Sequence, residues 1–176
     1  MKKLLFTLLI ITGVAGSGIA QTTNSDSASH KGHWSIGIDA GLPTGDISLG
    51  YSAGIGGSIK FETPTSPVTF LTVSAGFEAL LVKNEFKEAG FESSDNFIPL
   101  KAGLKVSLGD GVYAEGQAGV SFYTGSGSET FFAYAPGIGY NFKSGLDIGA
   151  RYEGWVKDGT IGQAVLRVAY RALSQK

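Results

Sequence analysis

An all-β fold is predicted: an eight-stranded antiparallel up-and-down barrel whose exterior faces a membrane. Three observations carry this prediction. From Trp34 almost to the end of the chain, apolar residues recur at every second position, the period of a β-strand with two unlike faces. The alternating runs are roughly 9–13 residues long, which suits a tilted membrane strand of ~9–11 residues better than a soluble strand of ~5–6. Every charge within the runs falls on the less apolar face, and the two signs balance.

The chain has 176 residues, enough for one ordinary domain, with 27 glycines and only 16% charged residues. That composition argues against charge-driven disorder and against a helical bundle. With no cysteine, neither disulfides nor a thiolate metal site is available. A net charge of −1 excludes a nucleic-acid partner, which needs a concentrated basic surface.

Residues 1–20 read as a signal peptide. Lys2 and Lys3 precede the apolar run Leu4 to Ile11, and Gly18-Ile19-Ala20 puts small residues before a cleavage point after Ala20. The run is too short to span ~30 Å of hydrocarbon. Residues 21–33 are small and polar without periodicity, a flexible leader. His30 and His33 sit at its end; two ligands without a third make a weak metal site, and no metal or cofactor is expected.

The barrel domain is expected over residues 34–176. The first strand, about Trp34 to Leu42, sets Trp34, Ile36, Ile38, Ala40 and Leu42 against Ser35, Gly37, Asp39 and Gly41. The second, about Tyr51 to Glu62, sets Tyr51, Ala53, Ile55, Gly57, Ile59 and Phe61 against Ser52, Gly54, Gly56, Ser58, Lys60 and Glu62. Pro64 and Pro67 then make a turn, since proline cannot donate to a ladder. The third strand, about Val68 to Val82, faces Leu71, Val73, Ala75, Phe77, Ala79 and Leu81 one way. Residues 83–96 form the longest loop, strongly charged.

The fourth and fifth strands are a hairpin from Ile98 to Tyr123, turning at Gly109-Asp110-Gly111. After a Gly/Ser loop the sixth, about Thr130 to Phe142, contains Pro136, where a bulge or a break in the ladder is expected. The seventh, about Leu146 to Val156, and the eighth, about Thr160 to Ala172, complete the set.

On the less apolar face the acids are Asp39, Glu62, Glu78, Glu115, Asp147 and Glu153, and the bases are Lys60, Lys101, Lys105, Arg151, Arg167 and Arg171. A soluble barrel would turn that face outward, around an apolar core or a lipocalin-like lipid cavity. A membrane barrel inverts it, apolar to lipid and charged to lumen. Inversion is favoured by the many glycines on the charged face, which leave room for long side chains in a narrow barrel. It is also favoured by aromatics gathered near strand ends: Tyr51, Phe122, Phe132 and Tyr134 at one rim, Phe61, Tyr140, Phe142 and Tyr170 at the other. Connections of alternating length, long at one end and short at the other, favour it again.

Buried opposite charges must pair, because an unpaired one is costly to desolvate. Asp39, Lys101, Lys105, Glu115, Arg151, Glu153 and Arg167 are therefore expected to form an interior network that fills the lumen. A narrow ion path is the alternative; an eight-stranded barrel has little room beyond its side chains, so a diffusion pore is not expected. Glu78 and Glu153 are candidate paired carboxylates, but nothing in the sequence fixes their spacing. Phe86 and Phe91, among the charges of the 83–96 loop, are expected to pack that loop on the rim or, as the alternative, to be the candidate contact for an extracellular partner.

Several stretches carry a family resemblance: Gly41-Leu42-Pro43-Thr44-Gly45-Asp46, Ala135-Pro136-Gly137-Ile138-Gly139-Tyr140, Ala150-Arg151-Tyr152-Glu153 and Leu166-Arg167-Val168-Ala169-Tyr170. With the signal peptide, they resemble the small outer-membrane β-barrel family, the OmpA/OmpX-like or "porin family" proteins of Gram-negative envelopes. The resemblance implies residence in the cell outer membrane as a monomer, with the N-terminus in the periplasm. It also implies contact with outer-membrane lipid and lipopolysaccharide and insertion by the outer-membrane assembly machinery. Such barrels usually end on an aromatic assembly signal; here Tyr170 would take that role, followed by Arg171 to Lys176. Members that modify lipid A use Ser and His near the outer rim. With His only at positions 30 and 33, no enzyme is expected here.

Overall fold

A computed structural model describes residues 32–88, 92–125, 127 and 129–172. The signal peptide, most of the leader including His30, and Phe91 lie outside the described residues. The chain forms eight strands: β1 His33–Thr44, β2 Tyr51–Pro64, β3 Thr69–Val82, β4 Ser94–Gly109, β5 Val112–Tyr123, β6 Glu129–Asn141, β7 Leu146–Val156 and β8 Thr160–Arg171. Each pairs antiparallel with its sequence neighbours, and β1 pairs with β8 to close the barrel. Closure leaves no sheet edge, so every strand finds its hydrogen-bond partners within the wall.

The faces follow the alternation. Ile36, Ile38 and Leu42 of β1 point outward, Ile38 with 71% of its surface exposed, whereas Ser35 and Asp39 are buried inside. The same pattern runs round the wall, so an apolar belt that includes Ile55, Val73, Phe77, Leu100, Leu104, Ile138 and Leu166 covers the outside. An apolar surface this continuous is incompatible with water and suits hydrocarbon. A lipocalin-like barrel needs the reverse distribution, so that alternative does not fit.

The start of β1, the end of β8 and the turns after β2, β4 and β6 lie at one end of the barrel; the connections after β1, β3, β5 and β7 lie at the other, and only the last of these, residues 157–159, is as short as the turns. At the turn end, Asp110 and Gly111 take positive φ, 49° and 88°, as the two central residues of a type I′ hairpin turn require. At the long-loop end, Gly45–Leu49 form a 3-10 turn and Asn84–Glu88 a short helix, α1.

Three departures from the expected alternation have physical causes. Between β2 and β3 the register shifts, Tyr51 facing Val82 and Ala53 facing Leu81, so Ser52 is the extra residue of a bulge. The bulge turns Tyr51 away from the outward girdle where it was expected and packs it inside the mouth. Second, β4 begins at Ser94, so the charged connection spans residues 83–93 and Asp95 and Phe97 belong to the wall. Third, β1 begins at His33, expected in the leader, whose ring nitrogen sits 3.1 Å from Glu62.

Pro136 breaks the β6–β7 ladder as expected, and without a bulge: pairing runs to Tyr134 with Gly154 and resumes at Gly137 with Arg151 in the same register. Pro99 does the same between β3 and β4, where pairs stop at Ala75 with Leu100 and resume at Glu78 with Phe97. In each case a proline without an N–H sits where a ladder bond would fall.

Glycines make the lumen passable for side chains. A β-carbon on Gly41 would lie 2.1 Å from Gln163 Oε1, and one on Gly139 would lie 2.3 Å from the Tyr113 hydroxyl. On the outside, the Tyr134 and Tyr152 rings lie over Gly154 and Gly162 in the same way, covering backbone that would otherwise meet lipid bare.

Candidate functional site: the lumen and its mouth

The lumen is filled in layers. Nearest the turn end, Glu62 is surrounded by cations. Lys105 Nζ lies 2.8 Å and Lys60 Nζ 2.9 Å from its carboxylate, and Lys60 continues to Glu115 at 3.0 Å. Lys105 also stands over the Tyr113 ring, 4.1 Å from its centroid, and the Tyr113 hydroxyl donates to Asp147 at 2.7 Å. β2, β4, β5 and β7 each supply part of this layer, so it ties non-adjacent walls together.

A second ion-pair group lies further toward the long-loop end. Arg151 donates from Nη1 to Asp39 and from Nε to Glu153, both at 2.8 Å, and Lys101 donates to the other Glu153 oxygen. Asp39 takes a further bond from Ser58 at 2.7 Å. Glu78 is buried beside this group and accepts from the Gln163 amide.

The seven residues expected to form the interior network thus all point inward, but they do not form one cluster. Asp39, Lys101, Arg151 and Glu153 are joined directly. Lys105 and Glu115 belong to the other group and are joined through Glu62 and Lys60, which sequence reasoning counted as lumen charges without placing them in the network. Among the described residues Arg167 makes no ion pair; it donates to Ser58 at 3.0 Å and Ser35 at 3.4 Å. Asp39 stands directly opposite Arg167 across the β1–β8 seam, yet its carboxylate is taken by Arg151 and Ser58. Arg171, counted among the lumen bases, donates instead to the Phe142 carbonyl at the rim.

Between the two groups lies a cavity of about 40 Å³, lined by Asp39, Ser58, Ser74, Glu115, Gln117 and Arg167 among others. A buried water needs roughly 10–15 Å³ measured this way. The space therefore admits a few water-sized molecules and no substrate.

The long-loop mouth is closed by apolar packing. Leu80 and Ala133 are fully buried, Trp155 is 1% exposed, and with Phe97 they form one cluster. The Phe97 ring lies 4.3 Å from Trp155 and 5.3 Å from Tyr123, centroid to centroid. Above it, Asp95 accepts hydrogen bonds from the hydroxyls of both Tyr51 and Tyr123, the latter at 2.7 Å, and so links β2 to β5 across the mouth. The Trp155 indole donates to Glu153 at 3.3 Å, joining the cap to the charges below. The signal for this cap was present in the sequence: Leu80 and Trp155 are large apolar residues on the face otherwise reserved for polar and small ones.

Of the loop pair, Phe86 lies on α1 and is 38% exposed. Glu78 and Glu153, considered as paired carboxylates, belong to one region of the lumen. Each has other hydrogen-bond partners there, Gln163 for the first and Lys101 and Arg151 for the second.

Solved barrels share this architecture. The crystal structure of Ail, the attachment invasion locus protein of Yersinia pestis, superposes with a TM-score of 0.57 at 20% identity, covering 80% of this chain and 97% of that one. The N-terminal β-barrel domain of Pseudomonas aeruginosa OprF gives 0.51 at 19%, covering 81% and 100%. The outer membrane enzyme PagL gives 0.50 at 15%, covering 80% and 99%. These likenesses establish the fold, and because one of the three is an enzyme the fold alone does not decide catalysis. No curated protein sequence matches the chain. A family model does, over residues 11–171, nearly the whole length. With that match and the closed eight-stranded wall, the chain belongs to the outer membrane protein β-barrel domain family and is an outer-membrane β-barrel.

Proposed function

We infer that this protein is a closed, non-catalytic barrel that serves the outer membrane as a structural element and acts on its surroundings through the long-loop end. The single observation behind this reading is that the lumen is obstructed in three successive layers, apolar at the mouth and ion-paired below. Such a lumen offers no route for solutes. The cavity is too small for a substrate, and both histidines lie at the turn end or outside the described residues.

In this reading the signal peptide is cleaved after Ala20, both ends face the periplasm and residues 45–50, 83–93, 124–128 and 157–159 face outward. Insertion uses the assembly machinery, with Tyr170 as the aromatic signal, and the apolar belt then contacts lipid and lipopolysaccharide as a monomer. Phe86 and Phe91 supply the apolar part of a partner contact. Acids dominate the outward connections and adjoining strand ends: Asp46, Glu85, Glu88, Glu92, Asp95, Glu129 and Asp158 against Lys83, Lys87 and Lys157. Ail of Yersinia pestis has been crystallised in complex with a heparin analogue, sucrose octasulfate. The acidic mouth here favours a partner of neutral or positive charge instead, because like charges across an interface are repulsive.

The test uses the absence of native cysteine. Ser48→Cys, in the first long connection, is expected to react with a membrane-impermeant maleimide on intact cells, and Ser144→Cys, in a short turn, only after the envelope is broken. Membranes washed in carbonate are expected to retain the protein. Release by carbonate, or the opposite labelling pattern, overturns the reading.

A further inference from the structure

We propose that the outer wall carries a site for an anionic phospholipid of the leaflet at the turn end. One acyl chain lies in a groove across β8, β1, β2 and β3, and the phosphate sits on Arg171 and Lys143. This deepens the reading above, on which that leaflet is the periplasmic one. The groove measures about 780 Å³ and lies on the outside of the barrel. Its floor is low because two outward positions, Gly57 and Ala75, are small. Gly57 stands opposite Ile38 on one side and Phe77 on the other, and Ala75 stands opposite Ile59. Nearer the turn end the groove is bounded by Ile36 and Tyr170, which are register partners across the β1–β8 seam. It thus runs from Tyr170 and Leu146 at the turn rim to Ile38 and Phe77 near mid-wall. That is the reach of one leaflet, so a single acyl chain entering from the turn end fills it.

The rim beyond the groove has the charge that such a lipid needs. The β6–β7 turn packs against the end of β8, where the Arg171 N–H donates to the Gly145 carbonyl at 2.8 Å. Lys143 is exposed on that turn. Among the described residues neither Arg171 nor Lys143 makes an ion pair, and the Arg171 guanidinium donates to the Phe142 carbonyl at 3.4 Å, long for such a bond. The acids of the adjoining strand ends, Glu62 and Asp147, are buried in the lumen and taken by Lys105 and Tyr113. An anion at this rim therefore meets two cations and no exposed carboxylate on β8, β1 or the turn. Trp34 and Tyr170, each 53% exposed on the outer face, flank the cations as interfacial rings do at headgroup height. A phosphate with its chain in the groove serves both halves of this surface. A second copy of the chain does not, because a two-fold contact here would bring the same cations together.

The experiment places the refolded protein in nanodiscs of phosphatidylcholine and phosphatidylglycerol, one or the other with brominated chains, and reads tryptophan fluorescence. Bromine quenches at short range. Trp34 lies next to Arg171, its carbonyl accepting from the Ala172 N–H at 2.9 Å, whereas Trp155 is enclosed in the cap and gives a constant background. Phosphatidylglycerol is expected to be preferred about fivefold at Trp34, the bias that one basic residue gives near a membrane surface. Lys143→Ala with Arg171→Ala should bring that ratio to one. Gly57→Leu should lower it to near one with both cations intact, since it fills the floor at a position where a β-carbon meets nothing closer than 3.5 Å. Heat-modifiable gel migration verifies that each variant has folded; should Gly57→Leu fail to fold, Ala75→Leu takes its place. Equal quenching in the wild type, a preference that survives Gly57→Leu, or a Trp34 shielded from both lipids in particles holding two copies overturns the proposal. Both nanodisc leaflets carry the same lipids, so such a result strikes the site alone; the orientation of the barrel is tested separately by the cysteine labelling above.

Discussion

At the long-loop end the lumen is filled by Leu80, Phe97, Ala133 and Trp155, whereas at the turn end it is filled by Glu62, Lys60, Lys105, Asp147 and Tyr113. Both fillings close a barrel of the same width, but their energetics differ. The apolar cap gains from burial and dispersion, which depend on volume and tolerate exchange of one apolar shape for another. The ionic layer gains only while every partner is present, because each charge has been taken out of water. Removing one apolar residue leaves a hole; removing one charge leaves another charge stranded.

The largest expected effect is at the ionic end. Glu62→Ala leaves Lys105 without its nearest carboxylate and Lys60 with Glu115 alone, and should cost about 4 kcal/mol in urea unfolding of the refolded barrel. The double variant Glu62→Met, Lys105→Met should recover more than half of that loss, since no cation is then stranded. Failure of the double variant to recover would remove the distinction between the two ends. At the cap, Phe97→Ala should cost about 3 kcal/mol, and the apolar exchange Phe97→Leu about 1 kcal/mol. A Phe97→Leu loss as large as that of Phe97→Ala would mean that ring geometry, not volume, closes the mouth.

Outside the barrel the comparison inverts. Ala102 projects to the lipid face near the middle of β4, between Lys101 and Gly103 on the lumen face. Ala102→Arg should cost about 2–3 kcal/mol through burial of a charge in hydrocarbon, measured by unfolding from vesicles. No loss would place Ala102 against water and reverse the faces. The smallest effect is expected at the clasp. Asp95→Asn keeps the shape but weakens two tyrosine hydrogen bonds, for about 1 kcal/mol, read by the same unfolding assay.

Period-two alternation carries the fold far because a one-residue shift of register would move every apolar residue of a strand to the wrong face. Asp39 with Ile38, or Lys105 with Leu104, assigns its strand face without further information. Tyr51 was misplaced because a bulge adds one residue without changing composition, and Ser52 looks like any inward serine. Asp95 and Phe97 were assigned to the loop or its margin because the acids preceding them resemble a solvated connection. The ion pairs were harder still. Arg151 reaches Asp39 across the lumen from β7 to β1, and that meeting depends on strand tilt and stagger, which local alternation does not encode. The cap was legible in principle, since Leu80 and Trp155 are exceptions on an otherwise small and polar face.

The closed lumen is the centre of this account, and conductance tests it most directly. Purified protein refolded into planar bilayers should give no sustained current at any moderate voltage, while the double variant Phe97→Ala, Trp155→Ala should change that behaviour only by brief, irregular openings, because the ionic layer still stands. A steady ohmic conductance from the wild-type barrel, altered by Arg151→Ala, would contradict it.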